Sequence, residues 1–484
     1  MRGAPPPEWA ANAGAWPAHN HDLANTRATT RTPINSRTVA KLRVKWRFAL
    51  AGTSSFGAFA STPIVLGDSV YLQDLNSNVY ALDRASGRLR WKHAFNQPNV
   101  GPNGVSYGWG RLYGATTTNA FALNPETGAL VWSRRIVRNA HEGIEIAPQL
   151  YDGTVLFSTV PSNVTGSYRP GTLGVVWALD AATGRPRWRF DTVKGGAALW
   201  GKPEINAGGG LWYPPAVDDR GRVFLAVANP APFPGTKDYP NGSSRPGPNL
   251  YTNSLVVLDG RTGKLVWYRQ ALPHDLRDYD LAISPILARL PVGGADTSVV
   301  ITAGKMGKVY AYRAGDGAHL WTVPVGKHQN DTGPLPNSYI PVYPGTLGGV
   351  VTPMALAGRR VFVPWVDLAT QTSATSFNGT DPLSEGRGGF TALDAATGAV
   401  LWQHRLPSMV FGAATIANDV VFTSTYDGTI YAFATATGRQ LWKAKARAGI
   451  NSFPAIAGGT LFVGAAAPAF FAHPRFELIA YSLG

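Results

Sequence analysis

The 484 residues include no cysteine. That excludes disulfides, thiolate metal sites and a covalently attached c-type haem, and it leaves the compartment open. No apolar run approaches the 18 or so residues that a membrane-spanning helix needs. The opening stretch, Met1-Arg-Gly-Ala-Pro-Pro-Pro7, lacks the apolar core of a signal peptide, so none is visible there. Acidic residues are scarce: 29 Asp and Glu stand against 44 Lys and Arg, a formal net charge of +15. The cations are scattered along the chain with no basic stripe or recognition motif, which argues against nucleic acid as a partner. An acidic redox partner, an anionic surface and a polyanionic substrate are the alternatives.

What the chain has instead is tryptophan in a repeated setting. Two copies of one eleven-residue phrase are nearly identical, Ala178-Leu-Asp-Ala-Ala-Thr-Gly-Arg-Pro-Arg-Trp188 and Ala392-Leu-Asp-Ala-Ala-Thr-Gly-Ala-Val-Leu-Trp402. Further copies end at Trp91, Trp132, Trp267, Trp321 and Trp442. An eighth is split, with Ile479-Ala-Tyr481 supplying the first half and Leu42-Arg-Val-Lys-Trp46 the second. Ala-Leu-Asp ends a strand. Asp-x-x-Thr-Gly is a turn in which Asp bonds the backbone and Gly takes positive φ. The run into Trp opens the next antiparallel strand.

Successive tryptophans are 45, 41, 56, 79, 54, 81 and 40 residues apart. Repeats near 40 residues mark propellers of four-stranded blades. The expected fold is therefore all-β: an eight-bladed β-propeller of four-stranded antiparallel blades. The N- and C-terminal strands share one blade and close the ring, which removes open edges. Residues 41–484 form the ring. Residues 1–40 form an arm packed on it, with Trp9 and Trp16 as anchors. Gly 55 and Pro 37 suit such a turn-rich chain. The runs Val155–Thr159, Val223–Val227, Val299–Thr302, Val361–Val363 and Val420–Thr423 read as inner strands. Segments 230–249 and 325–348 read as long loops on one face, where function concentrates.

The middle of the chain departs from the generic repeat. Gly208-Gly-Gly-Leu-Trp212 precedes Asn229, and Pro273-His-Asp-Leu-Arg-Asp278-Tyr-Asp280 is followed by Gly304-Lys305. Converging on a propeller axis, Asn229, Asp278 and Asp280 offer oxygens suited to a hard cation. Lys305 suits an anion or a developing oxyanion, and Trp212 offers a flat stacking surface.

At these residues the chain resembles the quinoprotein alcohol dehydrogenases, which use pyrroloquinoline quinone (PQQ). The resemblance lies in Asn249-Leu-Tyr-Thr-Asn-Ser-Leu-Val-Val-Leu-Asp259, in Thr262-Gly-Lys-Leu-Val-Trp267 and in the His274-Asp…Asp278-Tyr-Asp280 run. The opening Trp16…Asp22-Leu-Ala-Asn-Thr-Arg27 is similar to the N-terminal arm of the polyvinyl-alcohol-dehydrogenase branch. The resemblance implies PQQ with Ca2+ or a lanthanide, and an alcohol substrate, small, secondary or polymeric. It implies an external electron acceptor such as a cytochrome and an extracytoplasmic location. Asp278 would be the base that takes the alcohol proton as hydride passes to the quinone. Lys305 would stand by the quinone oxygens and Trp212 under the ring. Asn229, Asp278 and Asp280 would ligate the metal.

The chain also departs from the family pattern. The vicinal cysteine pair is replaced near Gln97-Pro98, and the family's Arg by Asn103. A first-blade Glu maps to Ala60, a metal-ligating Glu to Asn163, and a Trp to Arg277. Asn163 is then a fourth candidate ligand. Glu145 and Asn103 are candidate cofactor contacts on the altered side. Plainer readings stand beside these: Asx-turns for Asp278 and Asp280, a turn for Asn229, blade packing for Trp212 and a solvated turn for Lys305. His274, His141 and Glu142 match no metal or triad spacing. A non-catalytic propeller acting as a binding or assembly scaffold is the alternative function.

Overall fold

The computed structural model describes residues 3–12, 14–51, 54, 56–161, 169–281 and 283–483. Among these, eight sheets share a unit of four antiparallel strands, in seven of them hydrogen-bonded in chain order. In the fourth sheet they are Ala216–Val217, Arg222–Ala226, Ser254–Asp259 and Leu265–Gln270. One sheet breaks chain order. Its outer strand Arg43–Ala49 pairs with Glu477–Ser482, which follows Ala455–Ala457 and Thr460–Ala465. The two chain ends thus share a sheet, as the split phrase predicts.

The repeated phrase behaves as read. Asp180 Oδ1 accepts the Thr183 backbone N–H at 2.9 Å and its hydroxyl at 2.8 Å, while Gly184 turns the chain at φ +68°. The ladder then shifts register, with Ala178 opposite Trp188 but Leu179 opposite Pro186. Such a bulge re-aims a side chain, and the tryptophan turns to the neighbouring sheet. Trp132 donates its indole N–H to Ala181 O at 3.1 Å, and a Cβ on Gly184 would lie 2.7 Å from its ring. Trp91 meets Pro125 and Gly128 in the same way, Trp188 meets Gly260 and Gly263, and Trp402 meets Thr435 and Gly438. Trp46, on the shared sheet, donates to Arg84 O at 3.0 Å and so links the last sheet to the first. The glycine therefore serves twice, for its positive φ and for the close approach of an indole.

The runs read as inner strands are the second strand of each sheet. Ahead of each stands a further strand, and these first strands meet the N-terminal arm. Trp16 pairs with Val65, Pro17 O accepts from Tyr107 N, and Leu23 O accepts from Val217 N at 2.8 Å. Ala24, Thr26 and Arg27 accept through their carbonyls from Leu287, Leu356 and Ile416. Gly14 O accepts from Gly458 N, and Gln149 donates to Asn25 Oδ1. The arm thus hydrogen-bonds to the first strands of seven sheets and, through Gly14, to the turn after the first strand of the eighth. Its motif has local causes. Asp22 Oδ1 accepts the Thr26 backbone N–H at 2.9 Å, which bends the chain. Fully buried Arg27 then donates to Ala414 O, His19 O, Pro454 O and Thr415 Oγ1 at 2.7–2.8 Å.

The two longest gaps between tryptophans hold extra structure beyond one sheet. Ala207–Gly208 pairs with Pro230–Ala231 in the first, and Ile340–Val342, Thr370–Thr372 and Phe377–Thr380 form a small sheet in the second. The insertions meet: Asn241 exchanges side-chain hydrogen bonds with the backbone of Leu335 at 2.8 and 3.0 Å, and Phe233 stacks on Phe377.

Candidate active site

A cavity of about 250 Å³ is lined by residues of both insertions and of several sheets. Its wall is mostly apolar and aromatic, including Phe56, Val100, Trp212, Tyr213, Phe411, Tyr426 and Phe453. Charge enters at one place, through Asp280 and Lys305.

The elements that bring these groups together are local. After strand Arg222–Ala226, Ala228 N donates to Gly210 O and Gly209 N to Asn229 O, which ties the triple-glycine run to Asn229. Gly208 needs its missing side chain, since a Cβ would lie 2.7 Å from Pro230 Cα at φ +144°. Trp212 follows directly and lines the cavity. Asn229 N donates to Asp280 Oδ1 at 2.9 Å. Lys305, which follows strand Ala295–Gly304, donates its backbone N–H to Asp280 O at 2.9 Å. Its ammonium reaches Asp278 Oδ2 at 2.7 Å and Asp280 Oδ2 at 2.8 Å.

Asp278 sits at φ +63°, an uncommon conformation for a residue with a side chain. Asp275 accounts for it. Its buried carboxylate accepts the backbone N–H of Arg277 at 2.8 Å and of Tyr279 at 2.7 Å, on either side of Asp278. The turn that the plainer reading gave to Asp278 and Asp280 is made by Asp275, and both later carboxylates meet Lys305. Arg277 donates to the carbonyls of Asn330, Thr332 and Gly333 at 2.8–2.9 Å, pinning the 325–348 segment beside the site.

Burial pushes the Asp278 carboxyl well above the usual carboxylate range; Lys305 works against this and Asp280 adds to it. Burial disfavours the Lys305 charge, but the two carboxylates outweigh it and hold the ammonium above the ordinary lysine range. The cluster therefore holds protons tightly.

The remaining candidates divide. Asn103 and Glu145 are buried but absent from the cavity lining; Asn103 donates to Asp74 O at 2.8 Å, while its neighbours Gly101 and Pro102 form the wall. Ala60 lines the cavity. Asn163 lies outside the described residues. His274 meets the carbonyls of Asn241 and Gly247, and Glu142 pairs with Arg138, so neither belongs to the site. Asp275, Thr352, Asn451 and the aromatic wall of Phe411, Tyr426 and Phe453 were not among the residues singled out from sequence. Asp275 stood inside the motif, but the others come from distant sheets and carry no local signal.

The expected metal cage is not formed by these residues as arranged. An ammonium already stands between the carboxylates of Asp278 and Asp280, and the other oxygen of Asp280 accepts from Asn229 N. Among the described residues no three His, Cys, Asp or Glu side chains gather as a metal group. Asn229 contributes its backbone N–H to the cluster.

A planar organic cofactor fits better. The Trp212 indole N–H and the Thr352 hydroxyl are buried cavity-lining groups without a hydrogen-bond partner among the described residues. Buried polar groups left in that state point to a missing ligand or water.

Comparison with known proteins agrees with this fold. The family model for the β-propeller domain of glucose/ethanol/alcohol dehydrogenases (PQQ) matches residues 16–109 and 136–339. The model of the outer membrane protein assembly factor BamB matches residues 305–472. The quinohemoprotein alcohol dehydrogenase of Comamonas testosteroni is 25% identical over 519 residues, covering 92% of this chain and 71% of the relative. A polyvinylalcohol dehydrogenase of Sphingopyxis sp. is 24% identical over 538 residues, covering 95% of this chain and 74% of that one. The solved structure of the quinohemoprotein alcohol dehydrogenase ADHIIG of Pseudomonas putida HK5 superposes with a TM-score of 0.84 at 23% identity. It covers 98% of this chain and 81% of its own. That likeness makes the fold a PQQ-type β-propeller built of four-stranded antiparallel sheets. With the family model spanning more than half of its residues, the chain belongs to the PQQ-dependent alcohol dehydrogenase family, a family of enzymes.

Proposed function

We propose that this protein oxidises an alcohol with PQQ bound in the cavity, using Asp278 as the base. In this reading the eight sheets are eight blades of one closed ring over residues 41–484, with residues 1–40 as its internal arm. The observation that carries the reading is the Asp278–Lys305–Asp280 cluster beside a cavity walled by Trp212.

Trp212 would support the planar ring of the cofactor by stacking, and Thr352 would supply a hydroxyl that has no other partner among the described residues. PQQ, when bound, accepts the hydride equivalent from the alcohol carbon. The chain's own residues handle the proton. Asp278, its carboxyl basic through burial, takes the proton of the substrate hydroxyl at Oδ1 or Oδ2. Lys305 holds Oδ2 of Asp278 in place, so the base is oriented before substrate arrives. The apolar wall excludes water and receives the carbon skeleton of the alcohol. Lacking cysteine for a covalently attached haem, the chain passes electrons to an external acceptor such as a cytochrome. An extracytoplasmic location belongs to the same reading.

The test is reconstitution. Cofactor-free protein mixed with PQQ is expected to shift the quinone absorbance and to reduce a dye with some members of a panel of primary, secondary and polymeric alcohols. Absence of any quinone binding, with or without added Ca2+ or lanthanide, would overturn the reading.

A further inference from the structure

We propose that Lys305 is the resident cation of this site, and that its ammonium stands in place of a metal ion between Asp278 and Asp280. The inference rests on the reading of the cavity as a quinone site, but its central measurement does not.

The first argument is occupancy. The Lys305 ammonium lies 2.7 Å from Asp278 Oδ2 and 2.8 Å from Asp280 Oδ2, which are charge-assisted hydrogen-bond distances. A calcium ion binds carboxylate oxygens at about 2.3–2.6 Å. An ion on these same two oxygens would stand against the ammonium, and like charges at that range repel strongly in a buried site. One of the two cations has to leave.

The second argument is that the lysine is fixed. Its backbone N–H is bonded to Asp280 O at 2.9 Å. Gly349 packs so closely on the Lys305 carbonyl that a Cβ there would lie 2.1 Å from the oxygen. Gly304, just before it, allows no side chain either, since a Cβ would lie 2.1 Å from Asp280 O. Backbone crowding on both sides fixes the main chain from which the ammonium reaches the carboxylates. A tethered cation also needs no capture from solution.

The third argument is ligand supply. Hard cations take six to eight oxygens. Asp280 Oδ1 is already an acceptor for Asn229 N, and Asp275, the nearest further carboxylate in sequence, spends both oxygens on backbone N–H groups. Charge tells the same way. One lysine neutralises one of the two carboxylates, so only a single negative charge is left to attract a second cation.

The experiment uses the full chain, stripped of metal with a chelator and free of quinone. Terbium(III) is titrated in while tryptophan-sensitised luminescence is followed, and thermal unfolding is recorded with Ca2+ and with La3+. Wild type is expected to give no saturable luminescence and no metal-dependent rise in Tm. Lys305→Ala, with its ammonium gone and both carboxylates exposed to the site, is expected to gain a saturable terbium signal and a Tm rise. Lys305→Met keeps the bulk and separates charge from packing; it is expected to raise the signal as well. A stoichiometric terbium site with a Tm rise in wild type would overturn the proposal. So would a folded Lys305→Ala and Lys305→Met pair that gains no site. If both variants fail to fold, the wild-type titration still decides. In the quinone arm, binding in the presence of chelator is expected to equal binding with Ca2+, and a strict metal requirement would overturn the proposal. Failure of quinone binding under every condition would remove the proposed function, while the terbium result would stand alone.

Discussion

Asp278 and Lys305 meet at 2.7 Å across 27 residues of sequence, the base candidate and its cation joined by one hydrogen bond. The pair predicts an asymmetry between the two aspartates. Asp278→Asn keeps the shape but removes the basic oxygen, so PQQ binding is expected to persist while kcat/KM for the alcohol falls by about 10²–10⁴-fold, the usual share of a general base. Asp280→Asn keeps an acceptor for Asn229 N and is expected to cost less. Dye-linked assays beside quinone absorbance titrations separate the two.

A pH dependence follows from the same carboxyl. Burial raises Asp278 in the folded protein, and the group acts as base only when ionised. The rate is therefore expected to climb with pH through a midpoint above the ordinary carboxylate value of about 4. Stability moves the opposite way. The folded state holds the proton more tightly than the unfolded chain, so this contribution is complete at low pH and is lost as pH rises through the raised value. Urea denaturation of wild type and Asp278→Asn between about pH 4 and 8 is expected to show wild type losing ground as pH rises.

Arg27 is a buried cation whose partners are carbonyl and hydroxyl oxygens of the arm and of two sheets. Truncation strands those acceptors, each at about 1–3 kcal/mol before water or relaxation recovers part. Arg27→Ala is expected to lower stability by about 3 kcal/mol or more, read as a fall in the urea midpoint.

Two glycines separate backbone strain from packing. Gly184 has φ +68° and would set a Cβ 2.7 Å from Trp132, whereas Gly293 has φ +58° and open space around it. Gly293→Ala is expected to cost about 1 kcal/mol, from the conformation alone. Gly184→Ala adds a clash and is expected to cost about 2–4 kcal/mol. Equal losses in thermal denaturation would refute the docking role of the phrase.

Arg277 holds the carbonyls of residues 330, 332 and 333. Arg277→Ala is expected to speed amide hydrogen exchange across 325–348 and to leave the eight sheets unchanged. Exchange mapped by mass spectrometry checks this.

The all-β plan, the four-stranded unit and the sheet shared by the two chain ends were legible in sequence because each rests on local chemistry. An Asp that bonds its own turn, a Gly that takes positive φ and a Trp that follows at fixed spacing act within eleven residues. The grouping of Asp278, Asp280 and Lys305 was legible for a similar reason, since two of the three share one motif. The arm's path between the sheets was not, because Arg27 finds its acceptors near residues 414 and 454. Nor was the cavity wall, drawn from side chains such as Phe56, Phe411 and Phe453 that lie far apart in sequence and meet only in the tertiary structure. Sequence named oxygens fit for a metal. The tertiary structure put an ammonium between them, since which cation a pair of carboxylates meets depends on distances that no spacing along the chain encodes.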